Sequence, residues 1–137
     1  MKCLQFNQFG DTEKVLNIVE INIPKIKVDE VKVKMLLRPI NPYELMIVQG
    51  VYSFRPSLPA VTGFEDVGII ESIWTGVTHL KVGQNVIALG FQGTWQKIIK
   101  GNASQFIPVP DGVPDESAEL IANPMTCYIV LREIFNV

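Results

Sequence analysis

The chain has 137 residues, of which 47% are hydrophobic and 19% charged, with a formal net charge of −2. That balance fits one packed globular unit, and it sets aside a disordered chain and the strongly basic surface of a nucleic-acid or anionic-membrane binder. Two cysteines at opposite ends, Cys3 and Cys127, and a single histidine, His79, give too few closely spaced ligands for a structural zinc site.

No run approaches the ~18 apolar residues of a membrane helix, and Met1 to Gln8 lacks the apolar core of a secretory signal. The cysteines read as reduced and the chain as cytoplasmic. Leu4 and Phe6, then Val15, Ile18, Val19 and Ile21, predict two short extended segments about a turn at Gly10–Asp11. Pro24 and the polar run to Glu30 form a connection. Over Glu30 to Leu37, Val31, Val33 and Met35 alternate with Lys32 and Lys34, the pattern of a half-buried antiparallel strand.

Asn41–Pro42 opens a short helix through Val48. Asparagine is a favoured N-cap, proline suits the first helical position, and Gly50 ends the element. Val51 to Pro59 is a loop. Strands are predicted over Val67 to Trp74, Gly83 to Leu89, Thr94 to Lys100 and Gln105 to Val109. Gly and Pro punctuation between them suggests a small barrel or sandwich. Pro114 to Ala122 reads as a helix with acids in its first turn. Thr126 to Phe135 carries Ile129, Val130 and Ile134 at helical spacing, and an apolar helix there calls for a packing partner.

Several segments taken together resemble the medium-chain dehydrogenase/reductase superfamily. They are Ile40-Asn41-Pro42, Gln49-Gly50-Val51-Tyr52, Pro56 through Gly68, Val77 through Val86, Gly93-Thr94-Trp95-Gln96, and Asn123 through Tyr128. Each is weak alone; six in order, spanning nearly the whole chain, are specific. The resemblance implies a mainly β fold, a GroES-like partly open β-barrel with short helices over residues 1–122. Residues 123–137 would start a linking helix toward a nucleotide-binding Rossmann domain. No Gly-x-Gly-x-x-Gly follows a strand in these 137 residues.

Zinc-dependent members of the superfamily place Cys where Asn41 stands and Gly-His-Glu where Gly63-Phe64-Glu65 stands. Asn is a poor zinc ligand and Phe is none. The resemblance is therefore to zinc-free branches, 2-enoyl thioester reductases and NADPH:quinone oxidoreductases. Gln49 to Tyr52 and Gly93 to Trp95 lean toward the first. It implies an NADPH-dependent enzyme reducing an enoyl thioester or a quinone, homodimeric at full length and inactive as these 137 residues alone. A stand-alone GroES-like binding module without catalysis remains the rival.

Reducing an activated C=C requires a donor for the developing enolate oxygen and a proton for the α-carbon. A phenol, neutral at pH 7, suits that task. Tyr52 is the catalytic candidate through its family match; on residue type alone it is an aromatic capping the barrel end. Asn41 and Thr126 are cofactor-binding candidates, each with a helix N-cap as the alternative. Trp95 is the substrate-lining candidate, against a buried strand aromatic. Tyr43 reads as packing and His79 as a solvated turn residue. Glu65 and Asp66, adjacent in an extended segment, face opposite ways and do not form a two-carboxylate site.

Overall fold

The computed structural model describes residues 1–88, 90, 92–118 and 122–136, with nothing specified for the side chains of Ala122 and Asn123. Its elements are β1 (Lys2–Phe6), α1 (Thr12–Val15), β2 (Asn17–Glu20), β3 (Glu30–Leu37), α2 (Pro42–Gln49), β4 (Ala60–Val61), β5 (Asp66–Ile73), β6 (Asn85–Ala88), β7 (Ile98–Asn102), β8 (Phe106–Pro108), α3 (Asp115–Ala118) and α4 (Ala122–Tyr128). A 3₁₀ turn at Ala103–Gln105 precedes β8, and a π-wound turn at Ile129–Ile134 continues α4.

The strands form two antiparallel sheets, in the orders β2-β1-β4 and β7-β3-β5-β6-β8. The chain's alternation explains the larger one. Val31, Val33 and Met35 of β3 turn inward, while Lys32 and Lys34 face water. They meet Ile70, Val86, Ile99 and Phe106 in the main core. Gly68 lies opposite Met35. A side chain there would meet the Lys34 carbonyl at 2.7 Å, so the β3–β5 approach needs a glycine.

A second apolar cluster of Phe6, Val15, Ile47, Val48 and Ala60 lies between α2 and the smaller sheet. The sheets are stitched by the Cys3–Gln96 bridge and by Leu4 N–H donating to the Trp95 carbonyl at 2.9 Å. The architecture is the mainly β, partly open arrangement expected from the resemblance.

Four local expectations need correction. Val15 ends a helical turn rather than an extended segment, because the Asp11 side chain accepts the Glu13 N–H at 3.2 Å. Thr94 to Lys97 is not strand; β7 begins at Ile98. Gly93 turns the chain at φ +86°, and the Trp95 N–H is taken by the Thr62 carbonyl at 2.9 Å. The last helix is already under way at Ala122 rather than beginning near Thr126. Thr126 therefore sits inside α4 and is not its N-cap. Leu89, at the end of one predicted strand, and residues 119–121 of a predicted helix lie outside the described residues.

Candidate active site

The site is built on α2. Asn41 precedes the helix in extended conformation, and Pro42 occupies the first turn. Gly50 closes it at φ +76° with its N–H on the Ile47 carbonyl at 3.0 Å. That left-handed residue lets the chain fold back: the Val51 and Tyr52 N–H groups both reach the Met46 carbonyl, at 3.0 and 3.3 Å. The Tyr52 ring then lies 5.9 Å from that of Tyr43 in the first turn. Tyr43 in turn lies 5.7 Å from Phe64, and Phe64 meets Phe54 edge-on at 6.0 Å. Phe54, Phe64 and Tyr43 thus form a line of three rings leading to Tyr52, which remains 38% exposed.

Glu44 locks this cluster together. It is fully buried, yet both oxygens are used. Oε2 accepts the Asn41 N–H at 2.7 Å, and Oε1 accepts the Phe64 N–H at 3.0 Å. The first bond belongs to a helix capping box; the second ties the helix start to the Gly63–Glu65 loop. Burial pushes the Glu44 carboxyl above its ordinary pKa, opposed by those hydrogen bonds. Burial pushes the Tyr43 phenol far up too, helped by the nearby charges of Glu44 and Glu65, so Tyr43 stays protonated throughout the working pH range.

Gly63, at φ +104°, presents its carbonyl to the N–H groups of Gly93 and Thr94 at 2.9 and 3.3 Å. This brings Trp95, 8% exposed, behind the loop that carries Phe64. The guanidinium of Arg38 fixes the same segment, donating to the carbonyls of Thr94 and Gln96 at 2.9–3.3 Å.

The structure therefore brings Asn41 and Tyr52 to the two ends of one short helix, with Tyr43 and Phe64 between them. Trp95 backs the adjoining loop as a buried aromatic outside any strand. Thr126 is exposed on α4. His79 is exposed in a bend, as expected. Asp66 is buried and Glu65 half-buried, so only one of the pair is fully withdrawn from water. Glu44 was the residue missed; its signal was the Asn41-x-x-Glu44 spacing of a capping box. Tyr43, expected only to pack, is the ring that supports Tyr52.

Chemically, the arrangement offers a hydrogen-bond donor at the edge of an apolar, aromatic-walled surface. Strands and a glycine-capped helix hold it, so little reorganisation is needed to meet a developing negative oxygen.

Residues 27–111 match the family model of the alcohol dehydrogenase GroES-like domain. The chain is 36% identical over 135 residues to the mitochondrial enoyl-[acyl-carrier-protein] reductase of Homo sapiens, covering 97% of this chain and 36% of that protein. A Bacillus thuringiensis structure described as an NADPH:quinone reductase superposes with a TM-score of 0.88 at 38% identity, covering 99% of this chain and 41% of that one. The mitochondrial 2-enoyl thioester reductase Etr1p/Etr2p heterodimer from Candida tropicalis gives a TM-score of 0.84 at 28% identity, covering 97% and 43%. The chain thus spans about two fifths of the length of these relatives.

Proposed function

This chain belongs to the alcohol dehydrogenase GroES-like domain family of the medium-chain dehydrogenase/reductase superfamily, and on that premise we propose that it forms the substrate side of a zinc-free, NADPH-dependent reductase of α,β-unsaturated thioesters. The observation that carries this is Tyr52: an exposed phenol held at the end of α2 by the Tyr43–Phe64 ring cluster, at the position where the enoyl reductase branch carries its tyrosine.

A nicotinamide cofactor fits these residues only in part. Every strand pair in the described sheets is antiparallel, so they contain no parallel strand–glycine–helix turn to seat a diphosphate. The cofactor would supply hydride when bound. The chain's own part is to hold the thioester carbonyl against the Tyr52 hydroxyl. That hydroxyl donates to the oxygen as negative charge builds up, while Tyr43, Phe54 and Phe64 keep water from the reacting face. In this reading Asn41, at the other end of α2, would meet the nicotinamide end, and Trp95 would bound the acyl side. Residues 123–137 would begin the linking helix, with Thr126 carried toward the cofactor.

Zinc independence is supported by the donor chemistry at the superfamily's ligand positions, an amide at Asn41 and a hydrocarbon ring at Phe64. The two free cysteines suit a reducing compartment such as the cytoplasm. The deciding experiment is Tyr52→Phe in the complete protein, assayed with NADPH on crotonyl thioester and, in parallel, on a quinone. Loss of one donor at a developing oxyanion should lower kcat on the thioester about 10²- to 10³-fold. Unchanged thioester turnover ends the assignment of Tyr52, and turnover of the quinone alone moves the substrate to the other branch.

A further inference from the structure

The chain leaves α2 through the peptide unit between Gly50 and Val51, and both polar groups of that unit are taken. The Val51 N–H donates to the Met46 carbonyl at 3.0 Å. The Gly50 carbonyl accepts from Nη2 of Arg55. Holding both ends of a planar unit fixes the rotations on either side of it, Gly50 ψ and Val51 φ. Tyr52 is the next residue, so the same two bonds set the direction in which its side chain leaves the helix.

Arg55 is itself anchored. Its guanidinium carbon lies over the face of Phe9, 5.4 Å from the ring centre. Phe9 packs against the second apolar cluster, with its ring 5.9 Å from that of fully buried Phe6. Gly50 abuts Phe9 so closely that a Cβ there would stand 2.8 Å from the Phe9 Cβ. The guanidinium thus bridges a ring rooted in the core and a carbonyl at the helix end. The last turn of α2 has no basic residue, so Arg55 brings from beyond the helix the cation that its negative end favours. None of the described ion pairs includes Arg55. A planar group stacked on a ring loses little freedom in making its hydrogen bond.

We propose that Arg55 is a positioning residue for Tyr52: it holds the Gly50–Val51 peptide by its carbonyl, against Phe9, and so keeps the Tyr52 phenol beside Tyr43. The catalytic consequence rests on the reductase reading, in which Tyr52 is the oxygen donor; Arg55 acts through Tyr52 and is assigned no contact with the substrate. Without Arg55 the carbonyl side of the peptide is released, and glycine at position 50 permits the rotation that would turn the phenol away. A donor displaced from its acceptor costs rate rather than substrate binding.

The test uses the complete protein with fluorotyrosine in place of Tyr52 and compares the parent with Arg55→Met, which keeps an unbranched stem but neither the charge nor the donors. Arg55 is exposed, so the unfolding midpoint should stay near the parent's. The fluorine resonance should leave the position that the neighbouring Tyr43 ring imposes on it and move toward that of free fluorotyrosine. In the unlabelled protein Arg55→Met should lower kcat on crotonyl thioester about ten-fold, with KM within about two-fold of the parent. Added to Tyr52→Phe, the same change should cost less than about two-fold, because the group it acts through is gone.

An unmoved fluorine resonance in Arg55→Met overturns the proposal whatever Tyr52 does in catalysis. A rise in KM at unchanged kcat overturns it too, because Arg55 would then meet the substrate directly. So does an undiminished loss in the Tyr52→Phe background, which would mean that Arg55 acts through another group. The reductase reading fails separately: full thioester turnover by Tyr52→Phe removes it, while the fluorine resonance still decides whether Arg55 aims the phenol.

Discussion

Glu44 satisfies two backbone donors with two different oxygens, from Asn41 and Phe64, inside a site closed to water. Glutamine keeps one acceptor oxygen but sets an NH2 against the second N–H. We expect Glu44→Gln to cost about 1–3 kcal/mol, read by urea unfolding. The pH dependence has a definite sign. Burial raises the folded carboxyl above its ordinary 4.5. Its contribution is therefore complete below 4.5 and lost as pH rises through the raised value. The deficit of Glu44→Gln against the parent should be widest in acid and narrow on going toward neutral pH. A deficit that widens instead would mean that the two N–H donors outweigh desolvation. Gly63 is a second sensitive residue. At φ +104° a Cβ would lie 2.8 Å from the Trp95 backbone nitrogen and collide with the Thr94 hydroxyl. Gly63→Ala should lose roughly 2–4 kcal/mol through left-handed strain and overpacking, seen as a lower unfolding midpoint.

At the scale of elements, β3 and β5 carry the main core and α2 carries the site. Ile70 of β5 is 1% exposed between Val33 and Val86 of that core, so Ile70→Ala should cost about 2–5 kcal/mol. Ile18→Ala in β2, exposed at the edge of the smaller sheet, should change stability by less than about 0.5 kcal/mol. Parallel denaturant curves of the two variants test which sheet face is core. These two strands also show what could be read from sequence. In β3 the period-two pattern was legible because one face is buried and the other wet. α2 was legible because Asn41, Pro42 and Gly50 are local signals for its start and stop. The turn at Thr12–Val15 is too short to show a period. The Thr94–Lys97 stretch alternates like a strand, yet Thr62, Gly63 and Arg38 hold it from 31 to 58 positions away. Such long-range partners leave no local mark. Motif spacing brought Tyr52 and Asn41 into view, and only the fold showed that Tyr43 and Glu44 connect them.

At the scale of the molecule, the proposed reduction would need both a cofactor seat and a carbonyl site, and the described architecture suits one of them. Both sheets are antiparallel throughout the described strands, and at the start of α2 the Asn41 N–H is taken by Glu44. Seating a dinucleotide diphosphate needs several backbone N–H groups converging at the start of a helix behind a parallel strand. Among the described residues that demand goes unmet, whereas the proposed carbonyl site asks for an exposed donor on a rigid apolar wall, which Tyr52 could supply. The 137-residue chain on its own should therefore show no saturable NADPH binding in a fluorescence or calorimetric titration, with circular dichroism verifying that it is folded. Tight binding in that titration would place a nucleotide site within the two antiparallel sheets, and the division of labour between phenol-bearing wall and cofactor-bearing neighbour would fall with it.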